Sequence, residues 1–378
     1  QSTVGTAQLA FTYGIDAWWF TIGAAIGCLL LALLYAKPLR RTGCTTLMEV
    51  VAREYGHKAE VIGSLLCCIG IFISIIAQII SSSALLTSLL PIGYIWAALI
   101  AVALMMAYVV FGGMIGAGWS GIVKMGLLYV ASLVTGIYVW SHAHGLNGLL
   151  HGIGQLPIMD EAQVRQQYAN PFARGLLKDM GGVLSLALGV LATQTYAQCI
   201  LSGRSHQASL RGGLWCAFLI PPIGAACTLV GMFMRAHYLT AAEVATLGYL
   251  PDGMRLMQNS MQAFPLFITN HLPPFFGGVV LGTLLITIVG GASGLALGAA
   301  TILGRDVVQP FTHRALSLTG LRTLIVAILL AGVAVSLLAQ SSFINDLGFL
   351  SLGLRATAVL VPLTCALFFP QAIQPSYA

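Results

Sequence analysis

"GWSGIVKMGLLYVASLVTGIYVW", residues 118–140, decides the fold class. At about 1.5 Å per residue this apolar run is long enough to cross a hydrocarbon core of roughly 30 Å as a helix. Lys124 nevertheless stands inside it. A charged side chain near the bilayer centre costs about 2.5–3.5 kcal/mol on insertion scales, so such a residue marks a site. The remainder of the chain has the same character. Of 378 residues, 58% are hydrophobic and only 7% charged, against about 25% charged in a soluble domain. Lipid offers no water to satisfy backbone N–H and C=O groups, so chains cross it as helices or closed barrels. The apolar runs here are about 20–30 residues long, too long for barrel strands. The expected fold class is an all-α polytopic membrane protein embedded in the lipid bilayer.

One partial span over about 1–14 and nine full spans are expected, over 17–36, 60–90, 94–111, 114–140, 178–201, 208–236, 275–303, 318–339 and 344–368. The opening "QSTVGTAQLAFTYG" reads as if entered part-way through a helix, so preceding residues are expected. The amphipathic piece "TTLMEVVAREYG" (45–56) precedes the third span. Loops 37–59, 202–211 and 304–322 carry Lys37, Arg40, Arg41, Arg53, Lys58, Arg204, Arg211, Arg305, Arg314 and Arg322. By the positive-inside rule these loops are cytoplasmic. The loops on the other side mix Arg165, Arg174, Lys178, Arg235 and Arg255 with Asp160, Glu161, Asp179, Glu243 and Asp252. This asymmetry accounts for the net charge of +6 without a nucleic-acid partner.

Ten spans divide into two sets of five with opposite starting orientation, the arithmetic of an inverted-topology repeat. The expected organisation is a first five-helix repeat over 1–140 with its first helix incomplete, an extracellular connection over 141–177, a second repeat over 178–368 and a cytoplasmic tail over 369–378. Such folds break the first helix of each repeat at the midplane. Glycines 181, 182 and 189 in the span 178–201 are expected to supply the break in the second.

Several chemistries are excluded. The eight cysteines lie mostly within apolar runs and form no C-x-x-C pair, so they read as small packing residues. His142 and His144 stand two apart in an outer loop without a third ligand, and no metal site is expected. There is no G-x-S-x-G, H-E-x-x-H, P-loop or carboxylate pair within a span, so no enzyme and no enzyme cofactor is expected.

Residues 108–114, "YVVFGGM", resemble the signature of the sodium:solute symporter family, with Gly116 departing from its usual small residue. Four further stretches are similar to family segments, in the family's order: "TTLMEVVAREYG", "GWSGIVKMGLL", "TQTYAQCILSGRS" and "GASGLALGAATILGRDV". The resemblance implies a LeuT-like 5+5 inverted-repeat core, broken first and sixth core helices, and alternating-access transport of a small-molecule solute.

It also implies a sodium site built from backbone carbonyls of the first and eighth core helices and two adjacent hydroxyls of the eighth. Counted back from Asp306, those hydroxyl positions fall on Gly290 and Gly291, which offer no side-chain oxygen. The family's aspartate on the fifth core helix falls on Gly121, and Lys124 follows at i+3 on the same face. Some proton-coupled transporters of the same broad fold place a lysine amine where relatives bind sodium. Lys124 is expected to take that role, since a buried amine can give up and regain a proton. Pairing with a carboxylate or contact with an anionic substrate are its alternatives. Sodium coupling through Ser293 or Thr287 with backbone carbonyls is the alternative, so the coupling ion is a proton or sodium.

The substrate cavity is expected to include Gln1 and Ser2 of the broken first helix, Gln194 near the break of the sixth, and Gln78 with the serines that follow it. A gating aromatic of sugar carriers falls on Gly189, which disfavours a stacked sugar. Arg355 in the last span is either a carboxylate anchor or an ion-pair partner of Asp346. Two buried cations, Lys124 and Arg355, favour an amino-acid-like or carboxylate-bearing solute. The rival function is a transporter-like sensor joined to an attached or partner cytoplasmic domain.

Overall fold

The structure, a computed structural model, describes residues 2–44, 46–156, 159–309, 317–340 and 342–370, and of 110–120 the backbone alone. Helix α1 (Val4–Tyr13) ends on Gly14, whose φ of 63° turns the chain where a Cβ would strike the backbone of Tyr168. A tight turn over Gly14–Trp18 leads into α2 (Trp19–Leu30), which runs through a wide turn at Leu31–Tyr35 into α3 (Ala36–Thr42). The amphipathic piece is α4 (Leu47–Tyr55), capped by Thr46, whose hydroxyl accepts from the Glu49 N–H, and burying Leu47, Met48, Val50, Val51 and Tyr55. Then come α5 (His57–Leu89) and α6 (Tyr94–His142). The connection expected over 141–177 carries α7 (Gly145–Gly154) and α8 (Glu161–Tyr168).

The sixth expected span is broken, as α9 (Leu176–Leu191) and α10 (Gln194–Leu201) meet at 43°. The break falls at Ala192–Thr193 and not at the glycines. Helix α9 continues through Gly181, Gly182 and Gly189. Gly182 faces the ring of Phe349, and a Cβ on Gly189 would stand 2.5 Å from the Leu352 Cβ. Two of the three glycines therefore serve close helix contact.

Helix α11 (His206–His237) follows, then a short parallel pairing of Tyr238–Thr240 with Arg255–Met257 that frames α12 (Ala241–Leu247). After α13 (Ala263–His271) come α14 (Pro274–Ile302), continued by a wide helical turn at Leu303–Val308, α15 (Leu318–Leu338) and α16 (Ile344–Phe368).

Among the described residues, seven helical stretches are long and apolar enough to cross a membrane, and the bent α9–α10 pair makes eight. Expected spans 1–14 and 17–36 fall within one of these, Val4–Thr42. The spans expected at 94–111 and 114–140 share the single helix α6, in which Tyr94–Val109 and Gly121–His142 each form an apolar segment. The protein is a multi-pass membrane protein. Helix α5 lies at its centre, touching α4, α6, α14, α15 and α16, while α9 is held between α2 and α16. Many large apolar side chains, among them Ile122, Val123, Val130 and Ile137 of α6, face outward, as lipid-facing surfaces do.

Candidate functional site

Lys124 reaches from α6 to the middle of α14. A Cβ on Gly290 would lie 3.3 Å from the Lys124 Nζ and 3.6 Å from the Tyr108 Oη. One residue on, a Cβ on Gly291 would lie 2.9 Å from the Gln78 Nε2 of α5. An amine and an amide from neighbouring helices thus stand against the two glycines of α14. Among the described residues no carboxylate pairs with Lys124.

The surroundings are polar and incompletely satisfied. Thr287 Oγ1, one turn before Gly290 and Gly291 on α14, and Gln78 Oε1 are both buried without a hydrogen-bond partner. Buried polar oxygens are rarely left unpaired, so each marks a place that a water, ion or ligand can fill. Ser293 is committed elsewhere, since its hydroxyl donates to the Met105 carbonyl at 3.0 Å. Gly121 has open space around it, with nothing within 4 Å of a built Cβ.

Arg355 forms a second centre at the break in the α9–α10 span. It is 2% exposed and donates to Thr193 Oγ1 at 3.3 Å, the Gly70 carbonyl at 3.3 Å, and the Ser74 and Ser351 hydroxyls. Its Nε has no partner. Of the two readings of Arg355, the ion pair with Asp346 does not form, because the two residues stand about 14 Å apart along α16 and Asp346 is taken by Arg174. Arg355 has no carboxylate partner among the described residues. It shares a small cavity of about 20 Å³ with Thr193, Gln194 and Asp306, large enough for about one water. Asp306 is buried and accepts from the Ser64 hydroxyl at 3.2 Å, so it faces α5.

The other expected substrate contacts disperse. Gln194 Oε1 accepts from the Leu47 N–H at 2.8 Å, joining α10 to the start of α4. Gly189 is covered by Leu352. Ser81, Ser82 and Ser83 donate back to carbonyls of α5 itself. Ser2 lies half-buried in the turn that precedes α1, and Gln1 lies outside the described residues.

Sequence reasoning missed a third centre, at the end of the bundle where α9 begins. The Arg174 Nε meets Asp16 Oδ2 at 3.3 Å and Asp179 Oδ1 at 3.1 Å, and Nη1 meets Asp346 Oδ1 at 2.6 Å. Burial alone would push the guanidinium down, but Asp16, Asp346 and Asp179 outweigh it and hold Arg174 above its ordinary value. The available signal was Asp16 itself, a lone acid in an apolar run.

Comparison with known proteins follows the same lines. The profile of the sodium:solute symporter family matches residues 1–371. The uncharacterized symporter YwcA of Bacillus subtilis (strain 168) is 36% identical over 143 residues, which is 37% of this chain and 28% of that protein. The match therefore spans under a third of that relative's length. Among solved structures, a Na+-coupled sialic acid symporter in a substrate-bound outward-open state superposes with a TM-score of 0.65 at 18% identity, covering 95% of this chain and 75% of that one. A manganese transporter of Eremococcus coleocola, bound to an aromatic bis-isothiourea compound, gives 0.52 at 16% identity, over 96% and 78% of the two chains. At these identities the likeness is one of fold.

Proposed function

The chain belongs to the sodium:solute symporter family, and on that premise we propose that it is a proton-coupled transporter of a small carboxylate-bearing or zwitterionic solute, with Lys124 as the coupling group. One observation carries the reading: the Lys124 Nζ stands 3.3 Å from where a side chain of Gly290 would begin. A fixed ammonium there supplies the positive charge that a bound cation would bring, and losing its proton removes that charge. The Gln78 amide covers the adjacent Gly291. For the solute, Arg355 is the anchor, a guanidinium beside the broken span with an unpartnered Nε and, among the described residues, neutral acceptors only. A carboxylate suits its planar fork.

A second reading, sodium coupling, draws on the unpartnered Thr287 Oγ1 and Gln78 Oε1. Hard oxygens suit a small cation, but the neighbouring ammonium opposes one. The two readings separate in proteoliposomes. Thermal-shift screening of amino acids and carboxylates selects a solute, and uptake is then followed under an imposed pH gradient or an imposed sodium gradient. Uptake driven by the pH gradient and abolished by Lys124→Ala is the expected result. Sodium-driven uptake that survives Lys124→Ala would overturn the proposal.

A further inference from the structure

Asp16 and Asp179 are both fully buried, at 0% exposed. They come from different elements, Asp16 from the turn between α1 and α2 and Asp179 from the first turn of α9. The two side chains converge on a single nitrogen, the Arg174 Nε, at 3.3 and 3.1 Å. Each spends one oxygen on the Arg174 Nε and keeps the other, Asp16 Oδ1 and Asp179 Oδ2, buried with no partner. Two ionised carboxylates buried on one guanidinium nitrogen repel each other, and one proton shared between them relieves that repulsion.

The surrounding charges do not supply an alternative. Arg174 is the only cation within pairing distance of either acid among the described residues, and it also serves Asp346, whose side chain is 35% exposed. Lys178 lies on the exposed side of α9. Glu161 and Arg165 of α8 face each other at 3.9 Å, and Arg235 of α11 is taken by Glu243. The Tyr13 and Phe349 rings cover the guanidinium. One positive charge therefore faces two buried acids and a half-exposed third.

We propose that Asp16 and Asp179 bind a single shared proton in this arrangement, and that the proton latches the outer end of the bundle by joining α9 to the α1–α2 turn. The O–H of one carboxylic acid donates to the carboxylate oxygen of the other, with Arg174 balancing the remaining negative charge. Parting α9 from the turn exposes both groups to water, where both ionise and the proton leaves to the outer solution. The latched state then holds one more proton than the open state. Its ratio to the open state falls about tenfold for each unit of pH above the midpoint. The assignment does not depend on the coupling role of Lys124, and its test uses neither solute nor ion gradient.

The full chain in lipid nanodiscs is titrated from alkaline to acid pH under infrared observation. A carboxylic-acid C=O band already present at neutral pH is expected in wild type and in Asp346→Asn, and absent from Asp16→Asn and Asp179→Asn. Wild type alone decides the first point, since absence of a protonated acid at neutral pH overturns the proposal without any variant. A band that survives both substitutions overturns the assignment to this pair. Pulsed-EPR distances between labels at Arg165→Cys and Lys178→Cys, with native cysteines replaced by serine, read the latch. Expected is a short-distance population that declines with rising pH and becomes pH-independent in Asp16→Asn. A distance distribution unchanged by pH in the otherwise native cluster overturns the latch.

Discussion

Replacing Arg174 by methionine tests the energetics of the cluster around it. The substitution keeps an apolar stem between the Tyr13 and Phe349 rings, which lie 6.0 and 5.5 Å from the guanidinium carbon, and removes only the charged fork. It deprives Asp16 and Asp179, both fully buried, of contacts at 3.3 and 3.1 Å. It leaves in place the backbone bond from the residue-174 N–H to Asp16 Oδ2, at 3.1 Å. Removing one partner of a buried ion pair costs about 3–5 kcal/mol, because the other is left as an uncompensated charge. The contact with the half-exposed Asp346 adds little, about 0–1 kcal/mol after solvent screening. The expected loss at pH 8 is therefore about 3–5 kcal/mol.

The pH dependence follows from which state binds protons. Without the guanidinium, the buried acids take up protons more readily folded than unfolded, so acid relieves the variant. Thermal unfolding of the purified chain at pH 8 and pH 5 measures this. A Tm deficit that is large at pH 8 and shrinks at pH 5 is expected. A deficit equal at both values, or a loss under about 1 kcal/mol at pH 8, would refute the reasoning.

Two further substitutions probe packing and titration. A Cβ on Gly231 of α11 would lie 2.6 Å from the Ala10 Cβ and closer still to the Ala7 carbonyl oxygen. Gly231→Ala should therefore cost about 1–3 kcal/mol or more through overpacking. Gly181→Ala, with nothing within 4 Å, should leave Tm unchanged or slightly raised. His271 is pushed down from 6.5 to about 4, first by burial and then by His237, Arg255 and His142. Between those values the unfolded chain binds the extra proton, so stability should fall as pH drops from about 6.5 towards 4. His271→Phe, which keeps the stacking on Phe267, should flatten that part of the Tm–pH curve, and an unchanged slope would exclude His271 as its source.

The approach of Lys124 to Gly290 was anticipated only through the family resemblance, which places two hydroxyl positions on Gly290 and Gly291; residue type alone showed no more than a cation inside an apolar run. Gln78 was legible only as a polar group that must face inward, while its seat against Gly291 was not. Of the two readings of Arg355, pairing with Asp346 fails because helical spacing places the two residues about 14 Å apart along α16. Such a separation needs a partner from elsewhere, and Arg174 is that partner for Asp346. Glycines 181, 182 and 189 misled for a related reason. A glycine permits either a bend or a close approach, and only the neighbour decides which. Here Phe349 and Leu352 fill the space opposite two of them, while the chain breaks at Ala192–Thr193.

Sequence by itself determined that this protein crosses a membrane as helices, and to which family it belongs. Apolar run length and the need to satisfy the backbone in lipid are local properties of the chain. Only the tertiary structure decided which charges meet. Asp16, the Arg174–Asp179 stretch and Asp346 come from three separate parts of the chain, and their convergence depends on how α2, α9 and α16 pack. Residue type states that a buried charge requires a partner, while helix packing, which is non-local, selects that partner.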